Sequence, residues 1–139
     1  QGLGDWEGLT WDEALPGGEQ HPFWHTTAEY RPPQGESFID VIERVQQGVL
    51  DWTQKHRGRD IVCVAHGGVI RAMTAIAMEL SPDKALSVGV DNCSISRFDW
   101  VEYGPDESKQ AWRTGYVNLS PRKPWGFANG AALDDHERG

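Results

Sequence analysis

The residue best suited to chemistry in this sequence is His66, which precedes two glycines in the run IVCVAHGGVIRA, residues 61–72. Histidine titrates near neutral pH and can donate a hydrogen bond or a proton. Gly67 and Gly68 let a ligand approach the backbone, and the free amides at the start of a helix favour an anion. The combination suits a phosphoryl group. A structural histidine in an ordinary strand–Gly–Gly–helix turn is an equally open interpretation.

Two predicted elements would place His66 at the edge of a sheet. Residues 61–65 are short, continuous and β-branched, which predicts a central parallel strand covered on both faces. Beyond the glycines, apolar residues recur at helical spacing as far as Leu80, and Ser81-Pro82 ends that helix. His66 would then lie at the carboxyl end of a buried strand, where open α/β sheets bind their ligands.

Another helix is predicted to follow Ser37. Ser37 and Asp40 offer N-cap chemistry, and apolar residues from Phe38 to Trp52 recur at helical spacing along one face. Gly58 is the expected breaker at the end of this helix.

The remaining patterns complete a single α/β domain. Residues 93–100 and 111–119 are predicted strands, and together with the helices they indicate a layered α/β fold. Residues 121–139 are rich in Pro, Gly, Asn and Asp and are expected to form an irregular tail. This leaves residues 1–120 as the domain.

The composition indicates a soluble globular protein. Of the 139 residues, 38% are hydrophobic and 24% are charged, which is ordinary for a single soluble domain. The net charge of −8 argues against a nucleic-acid-binding surface, because phosphate backbones require basic stripes. No apolar stretch approaches the ~20 residues of a membrane span. Cys63 and Cys93 make no disulfide framework, so a reducing, cytoplasmic setting is expected.

Other kinds of catalytic or metal site fit the sequence less well. A zinc site would have to draw on residues without the compact spacing of a structural centre, namely His21, His25, Cys63, His66 and Cys93. The sequence has no G-x-S-x-G elbow and no G-x-x-x-x-G-K-[ST] loop. A serine hydrolase of the first architecture and a P-loop nucleotide hydrolase are therefore disfavoured.

Three separated motifs occur in a set order: LGDWEG at residues 3–8, PQGES at 33–37 and VAHGGVIRA at 64–72. In this order they resemble the histidine phosphatase superfamily, in the phosphoglycerate mutase-like branch with the α-ribazole and broad-specificity phosphatases. NCSISRF, residues 92–98, is similar to the next strand of that family. The resemblance implies a three-layer α/β/α fold with a mostly parallel sheet, incomplete at the N-terminus.

The resemblance also implies a mechanism. In this family a histidine of an Arg-His-Gly motif attacks phosphorus and forms a phosphohistidine, with no metal or other cofactor. His66 matches a second histidine, which hydrogen-bonds the transferring phosphoryl oxygens and stabilises their charge. Gly67 would add a backbone amide to this phosphate-binding site. The implied partner is a small phosphorylated substrate.

The sequence departs from the family pattern at its start. It contains no Arg-His-Gly and lacks the second pocket arginine that follows that motif. The general acid of the family is a Glu in an L-x-E motif, and counting back from Leu3 places it one residue before Gln1. Glu7 occupies a different position and is expected to be structural. We therefore expect the C-terminal part of a phosphatase domain, inactive alone; the alternative is a non-catalytic phosphate-binding or interaction domain.

Within the family, the third motif favours a phosphatase. Phosphoglycerate mutases typically have H-G-N-S-L-R where this chain has HGGVIR, so the mutase is the alternative activity. Phe23, Trp24 and Tyr30 lie where the family builds the wall over the phosphate pocket. They are candidate contacts to the organic part of the substrate, and a plain surface loop is the competing interpretation.

Overall fold

The structure is a computed structural model, and it describes residues 1–16, 27–104 and 109–120. Its elements in chain order are a 3₁₀ turn at Gly4–Trp6, α1 at Trp11–Ala14, α2 at Phe38–Lys55, α3 at Gly67–Met78, α4 at Pro82–Leu86, β1 at Ile95–Tyr103 and β2 at Lys109–Leu119. The predicted tail, residues 121–139, lies outside the described residues.

The helix predicted after Ser37 is confirmed as α2. The Ser37 hydroxyl accepts a hydrogen bond from the amide of Asp40 at 3.2 Å, and the Asp40 carboxylate accepts one from the amide of Ser37 at 2.6 Å. This reciprocal cap satisfies two amides that the first turn leaves without partners. Phe38, Val41 and Val45 are buried along one face of the helix, as the apolar spacing predicts.

The helix predicted after the glycines is confirmed as α3. It begins at Gly67 and ends at Met78, and Glu79 closes it in the left-handed conformation with φ of 52°. The sequence Ser81-Pro82 by itself predicts only the end of α3. It also begins α4, with Pro82 in the first turn, where the missing N–H of proline costs nothing.

The core lies where α3 packs against α2, α4 and β2. Its buried apolar members are Ala28, Phe38, Val41, Val45, Ala72, Met73, Ala75 and Ala85. Small side chains on α3 allow its backbone to approach α2 closely, while the larger side chains come mainly from α2. No helix in the described ranges is long and apolar enough to span a membrane.

The two predicted strands are confirmed, and in the described part of the chain they form one antiparallel sheet. Trp100 of β1 lies opposite Trp112 of β2, with ring centroids 4.9 Å apart in an edge-to-face arrangement. Such a cross-strand aromatic pair stabilises a sheet beyond its burial alone. The same face of the sheet covers the core, where Phe98 and Trp112 contact its buried residues.

The strand predicted at residues 61–65 is not observed. All five residues are exposed and none is in a strand; Val62 is 91% exposed and Val64 is 99% exposed. The mostly parallel sheet is likewise not formed by the described residues, whose sheet is antiparallel and two-stranded. The physical reason is that β-branched residues favour a strand only where neighbouring strands complete the ladder, and no described segment pairs with residues 61–65.

Candidate functional site

His66 is the N-cap residue of α3. Its backbone is extended, with φ of −83° and ψ of 159°, and its carbonyl accepts hydrogen bonds from the amides of Val69 and Ile70 at 3.0 and 3.3 Å. Its side chain makes no capping bond and is exposed. The imidazole therefore remains available to a ligand at the positive end of a 12-residue helix.

The two glycines leave the approach to this helix end open. The amides of Gly67 and Gly68 donate no hydrogen bond to any other described residue. A Cβ on Gly68 would meet nothing within 4 Å, and one on Gly67 would lie 3.7 Å from the Val90 Cβ. Neither glycine has a positive φ. The backbone conformation therefore does not require glycine here, and the effect of the two residues is free space above the amides.

Arg71 is a cation of this region that the sequence reading did not single out. Its Nε donates a hydrogen bond to the Val88 carbonyl at 2.8 Å, and its Nη1 would lie 3.7 Å from a Cβ on Gly67. The spacing from Gly67 to Arg71 is four residues, which places the two on the same face of a helix. That spacing is the sequence feature from which the juxtaposition could have been predicted.

The candidate substrate-wall residues do not all fall in the described part of the chain. Phe23 and Trp24 lie outside the described residues. Tyr30 is half-buried, and its ring centroid is 6.4 Å from that of Trp6. The structure therefore brings His66 and Gly67 together and places Tyr30 beside the first motif.

The first two motifs bind each other through what we call the N-terminal clasp, residues 2–5 against residues 33–36. The amide of Glu36 donates to the Gly2 carbonyl, and the amide of Asp5 donates to the Pro33 carbonyl, both at 2.9 Å. Gly4 has φ of +57°, and a Cβ there would lie 2.1 Å from the Pro33 oxygen. Only glycine fits this position, which explains the first glycine of LGDWEG.

The Glu36 carboxylate completes the clasp. Its Oε2 accepts from the Gly2 amide at 2.8 Å, while the Arg44 guanidinium donates to both carboxylate oxygens at 2.9 and 3.0 Å. The hydrogen bond from Arg44, followed by that from Gly2, lowers the pKa of Glu36 and keeps it ionised. Glu7 accepts from the Leu3 amide at 3.1 Å, in agreement with its expected structural role.

A cavity of about 520 Å³ lies away from His66. Its walls are mostly apolar and come from α2, α3, β1 and β2, including Ile42, Ile76, Trp100 and Trp112. Across the described ranges no three His, Cys, Asp or Glu side chains are grouped as metal ligands. The polar groups near the start of α3 are the His66 imidazole, the amides of Gly67 and Gly68, and the Arg71 guanidinium.

Known proteins resemble this chain over most of its length. The family model of the histidine phosphatase superfamily (branch 1) matches residues 1–112. The chain is 40% identical over 110 residues to the glucosyl-3-phosphoglycerate phosphatase of Mycolicibacterium vanbaalenii, covering 72% of this chain and 46% of that protein. It is 36% identical over 87 residues to the 2,3-bisphosphoglycerate-dependent phosphoglycerate mutase of Brucella anthropi, covering 60% and 42%.

A solved structure is also similar. It is the mycobacterial glucosyl-3-phosphoglycerate phosphatase in complex with VO3, with a TM-score of 0.63 and 30% identity, covering 85% of this chain and 60% of that one. The chain thus spans about half the length of the curated relatives above. The matched residues 1–112 include the clasp, His66 and α3, and the chain belongs to the histidine phosphatase superfamily, branch 1.

Proposed function

We propose that this chain is part of a phosphatase that hydrolyses small phosphomonoesters without a metal ion, and that it contributes the second histidine of the active site. The observation that carries the proposal is the exposed His66 imidazole beside the unpartnered amides of Gly67 and Gly68 at the start of α3. Oxyanions are favoured at such a helix end. The phosphatase names of two similar proteins support the same reaction.

The proposed reaction has two displacements. A histidine of an upstream Arg-His-Gly motif attacks phosphorus as the bond from phosphorus to the ester oxygen breaks, and a carboxylic acid before Gln1 gives its proton to that oxygen. Water then attacks the phosphohistidine, the same carboxylate accepts a proton from the water, and the phosphorus–nitrogen bond breaks to release phosphate. Each step transfers the phosphoryl group without a change in oxidation state.

His66 would act on the oxygens that remain on phosphorus. Negative charge on these oxygens must be held in place while the apical bonds change, and preorganised donors contribute most at this stage. The VO3 in the solved relative's complex is an oxyanion with the shape of a transferring phosphoryl group. That relative's complex therefore supports an oxyanion ligand for a protein similar to this chain.

The activity proposed is hydrolysis rather than mutase chemistry. One relative is named as a mutase, so this alternative has support, but the HGGVIR sequence of this chain favours the phosphatase form. A mutase would require 2,3-bisphosphoglycerate for turnover, whereas a phosphatase would release phosphate from a generic aryl phosphate without it.

The proposal extends to the fold of the longer protein. Residues 61–65 would form an internal strand of a three-layer α/β/α domain that includes residues 1–120, with His66 at the carboxyl end of that strand. The exposure of Val62 and Val64 supports this, because so apolar a run normally has partners on both faces.

The proposal is tested in the protein extended upstream of Gln1, whose coding sequence is expected to contain Glu directly before Gln1 and Arg-His-Gly further up. His66→Ala is expected to lower turnover of p-nitrophenyl phosphate at least about a hundredfold, the usual scale for a lost charge-stabilising donor. His56→Ala is the matched control, since His56 stacks on Trp52 at the end of α2.

Two results would contradict the proposal. Turnover of His66→Ala within a few-fold of the parent would make His66 a structural residue. A start codon near Gln1, with phosphate binding but no hydrolysis, would favour the non-catalytic phosphate-binding domain.

A further inference from the structure

We propose that Arg71 is a positioning residue for the oxyanion site at the start of α3, which it serves by holding the segment of residues 88–91 beside Gly67. This inference rests on the proposed function, because it concerns the oxyanions that Gly67 would bind. Arg71 would not touch the substrate. Its role would be to fix the surroundings of the Gly67 amide before an oxyanion arrives.

The first step is that Arg71 joins α3 to this segment. Its Nε donates a hydrogen bond of 2.8 Å to the Val88 carbonyl, and this bond is partly buried. A charged donor makes a stronger hydrogen bond than a neutral one, and partial burial limits the competition from water. Arg71 lies 17 positions from Val88 in the chain. The bond therefore fixes two parts of the fold that are distant in the sequence.

The second step is that both Arg71 and the segment lie against Gly67. A Cβ on Gly67 would lie 3.7 Å from Arg71 Nη1, 3.7 Å from the Val90 Cβ and 3.8 Å from the Val90 Cγ1. These distances are ordinary van der Waals contacts, so two side chains bound the space beside Gly67. Gly68 differs, because a Cβ there would meet nothing within 4 Å. Of the two glycines, Gly67 is therefore the one whose surroundings Arg71 and Val90 define.

The third step is that the two ends of the segment are bonded to elements other than α3. The Val88 amide donates to the Ala85 carbonyl of α4 at 3.1 Å, and the Asp91 amide donates to the Asn118 Oδ1 of β2 at 2.7 Å. The middle of the segment lies between these two bonds. The hydrogen bond from Arg71 adds a direct connection between the segment and the helix that begins the site.

The fourth step links this packing to the proposed reaction. Hydrogen-bond donors stabilise charge on phosphoryl oxygens most when they are already in place and water is kept from them. Val90 covers one side of Gly67, so a segment that moved away would admit water beside the amide. These oxygens carry charge in both displacements, so the effect does not depend on the leaving group. Loss of Arg71 should therefore weaken binding of the transition state more than binding of the ground state.

The test measures kcat, KM and inhibition in the protein extended upstream of Gln1. With p-nitrophenyl phosphate we expect Arg71→Met to lower kcat about tenfold or more and to change KM less than about threefold. Inhibition by vanadate should weaken about as much as kcat falls, whereas inhibition by inorganic phosphate should change less than about threefold. Arg71→Lys keeps a charged donor and should recover most of the lost kcat.

Two further variants make the test specific to the segment. Asn118→Gly removes the acceptor of the bond to Asp91 and suits the positive φ of 59° at this position. It should lower kcat in the same way, although α3 itself is unchanged. Arg97→Met is the matched control and should keep the parent kcat, because the Arg97 guanidinium bonds to Asp99 within β1. Urea unfolding of each variant establishes that it is folded under the assay conditions.

The outcomes separate this inference from the proposed function. Parent kcat in either folded variant, Arg71→Met or Asn118→Gly, would overturn the inference. Equal weakening of inhibition by vanadate and by phosphate would also overturn it, because a purely structural role makes no distinction between them. If Arg71→Met does not fold, Asn118→Gly decides by the same comparison. If His66→Ala left turnover unchanged, the proposed function would fail; if His66→Ala alone lowered turnover, only the role of Arg71 would fail.

Discussion

The exposed run at residues 61–65 leads to a quantitative prediction about folding. On a surface, Val62 at 91% exposure and Val64 at 99% exposure contribute almost nothing to stability. Burying one valine side chain fully contributes about 1.5–3 kcal/mol to the free energy of unfolding. The two valines together would therefore contribute about 3–6 kcal/mol when a neighbouring segment covers them, and this is an upper range because unfolded chains already bury some apolar surface.

This contribution is a large fraction of the stability of a typical domain, about 5–15 kcal/mol. We therefore expect the 139-residue chain to show a broad, poorly cooperative thermal transition and no phosphate release. The protein extended upstream of Gln1 should unfold sharply. Circular dichroism and urea titration of both proteins measure the difference.

A pair of valine substitutions in the extended protein provides the control. Val41 is fully buried in α2, so Val41→Ala should lower the free energy of unfolding by about 1.5–3 kcal/mol through lost methyl burial and the cavity left behind. Val64→Ala should cost a similar amount if residues 61–65 are covered. A cost within the ±0.5 kcal/mol typical of surface sites, or a sharp monomeric transition of the 139-residue chain, would refute the reasoning.

Three further outcomes are expected in the extended protein. His66→Ala should weaken inhibition by vanadate at least about tenfold, since a hydrogen bond to a charged group is worth about 1.5–3 kcal/mol. Isothermal titration measures the affinity for vanadate, and an unchanged affinity would count against a role of His66 in binding oxyanions. Gly4→Ala should lower the midpoint of urea unfolding clearly, because its Cβ would lie 2.1 Å from the Pro33 oxygen at a positive φ; a neutral result would contradict the clasp geometry. The pKa of Glu36 is lowered mainly by its hydrogen bond from Arg44. The ionised Glu36 therefore contributes stability above the ordinary glutamate pKa of about 4.3, and this contribution is lost as pH falls through the depressed pKa. Glu36→Gln should remove this part of the pH dependence of the free energy of unfolding, measured by urea titration from pH 7 to pH 2.

The helices could be predicted from the sequence because their determinants are local. The cap of α2 joins Ser37 to Asp40, three residues away, and its apolar stripe repeats within the same 18 residues. The spacing after Gly67 indicated α3 in the same way. Such patterns need no information about distant parts of the chain.

The strand at residues 61–65 could not be predicted so securely, because a strand depends on its neighbours. Its β-branched residues favour a covered, pleated surface, but no described segment provides one. Residues 93–100 and 111–119 carried a similar pattern and do form strands, because each is the partner of the other. What differs between the two cases is the partner, which the residues themselves do not specify.

The sequence predicted only those contacts of the candidate site that join residues adjacent in the chain. His66 and Gly67 are adjacent, so their juxtaposition at the start of α3 follows from the helix itself. The bond between Glu36 and Gly2 joins residues 34 positions apart, and nothing in the two motifs taken singly indicates that they touch. Only the occurrence of both motifs in one chain suggests that they belong to the same structural unit.

The bond between Asp5 and Pro33 closes a loop of residues 6–32, within which Ala28 belongs to the core. Lengthening a closed loop is inexpensive, at about 0.6 kcal/mol for each doubling of its length. Insertions and deletions in this loop that leave Ala28 in place can therefore accumulate while both anchor points keep their bond. Loops held by a rigid scaffold are where binding specificity commonly varies. A loop closed in this way can change in length without disturbing the helix that begins at Gly67.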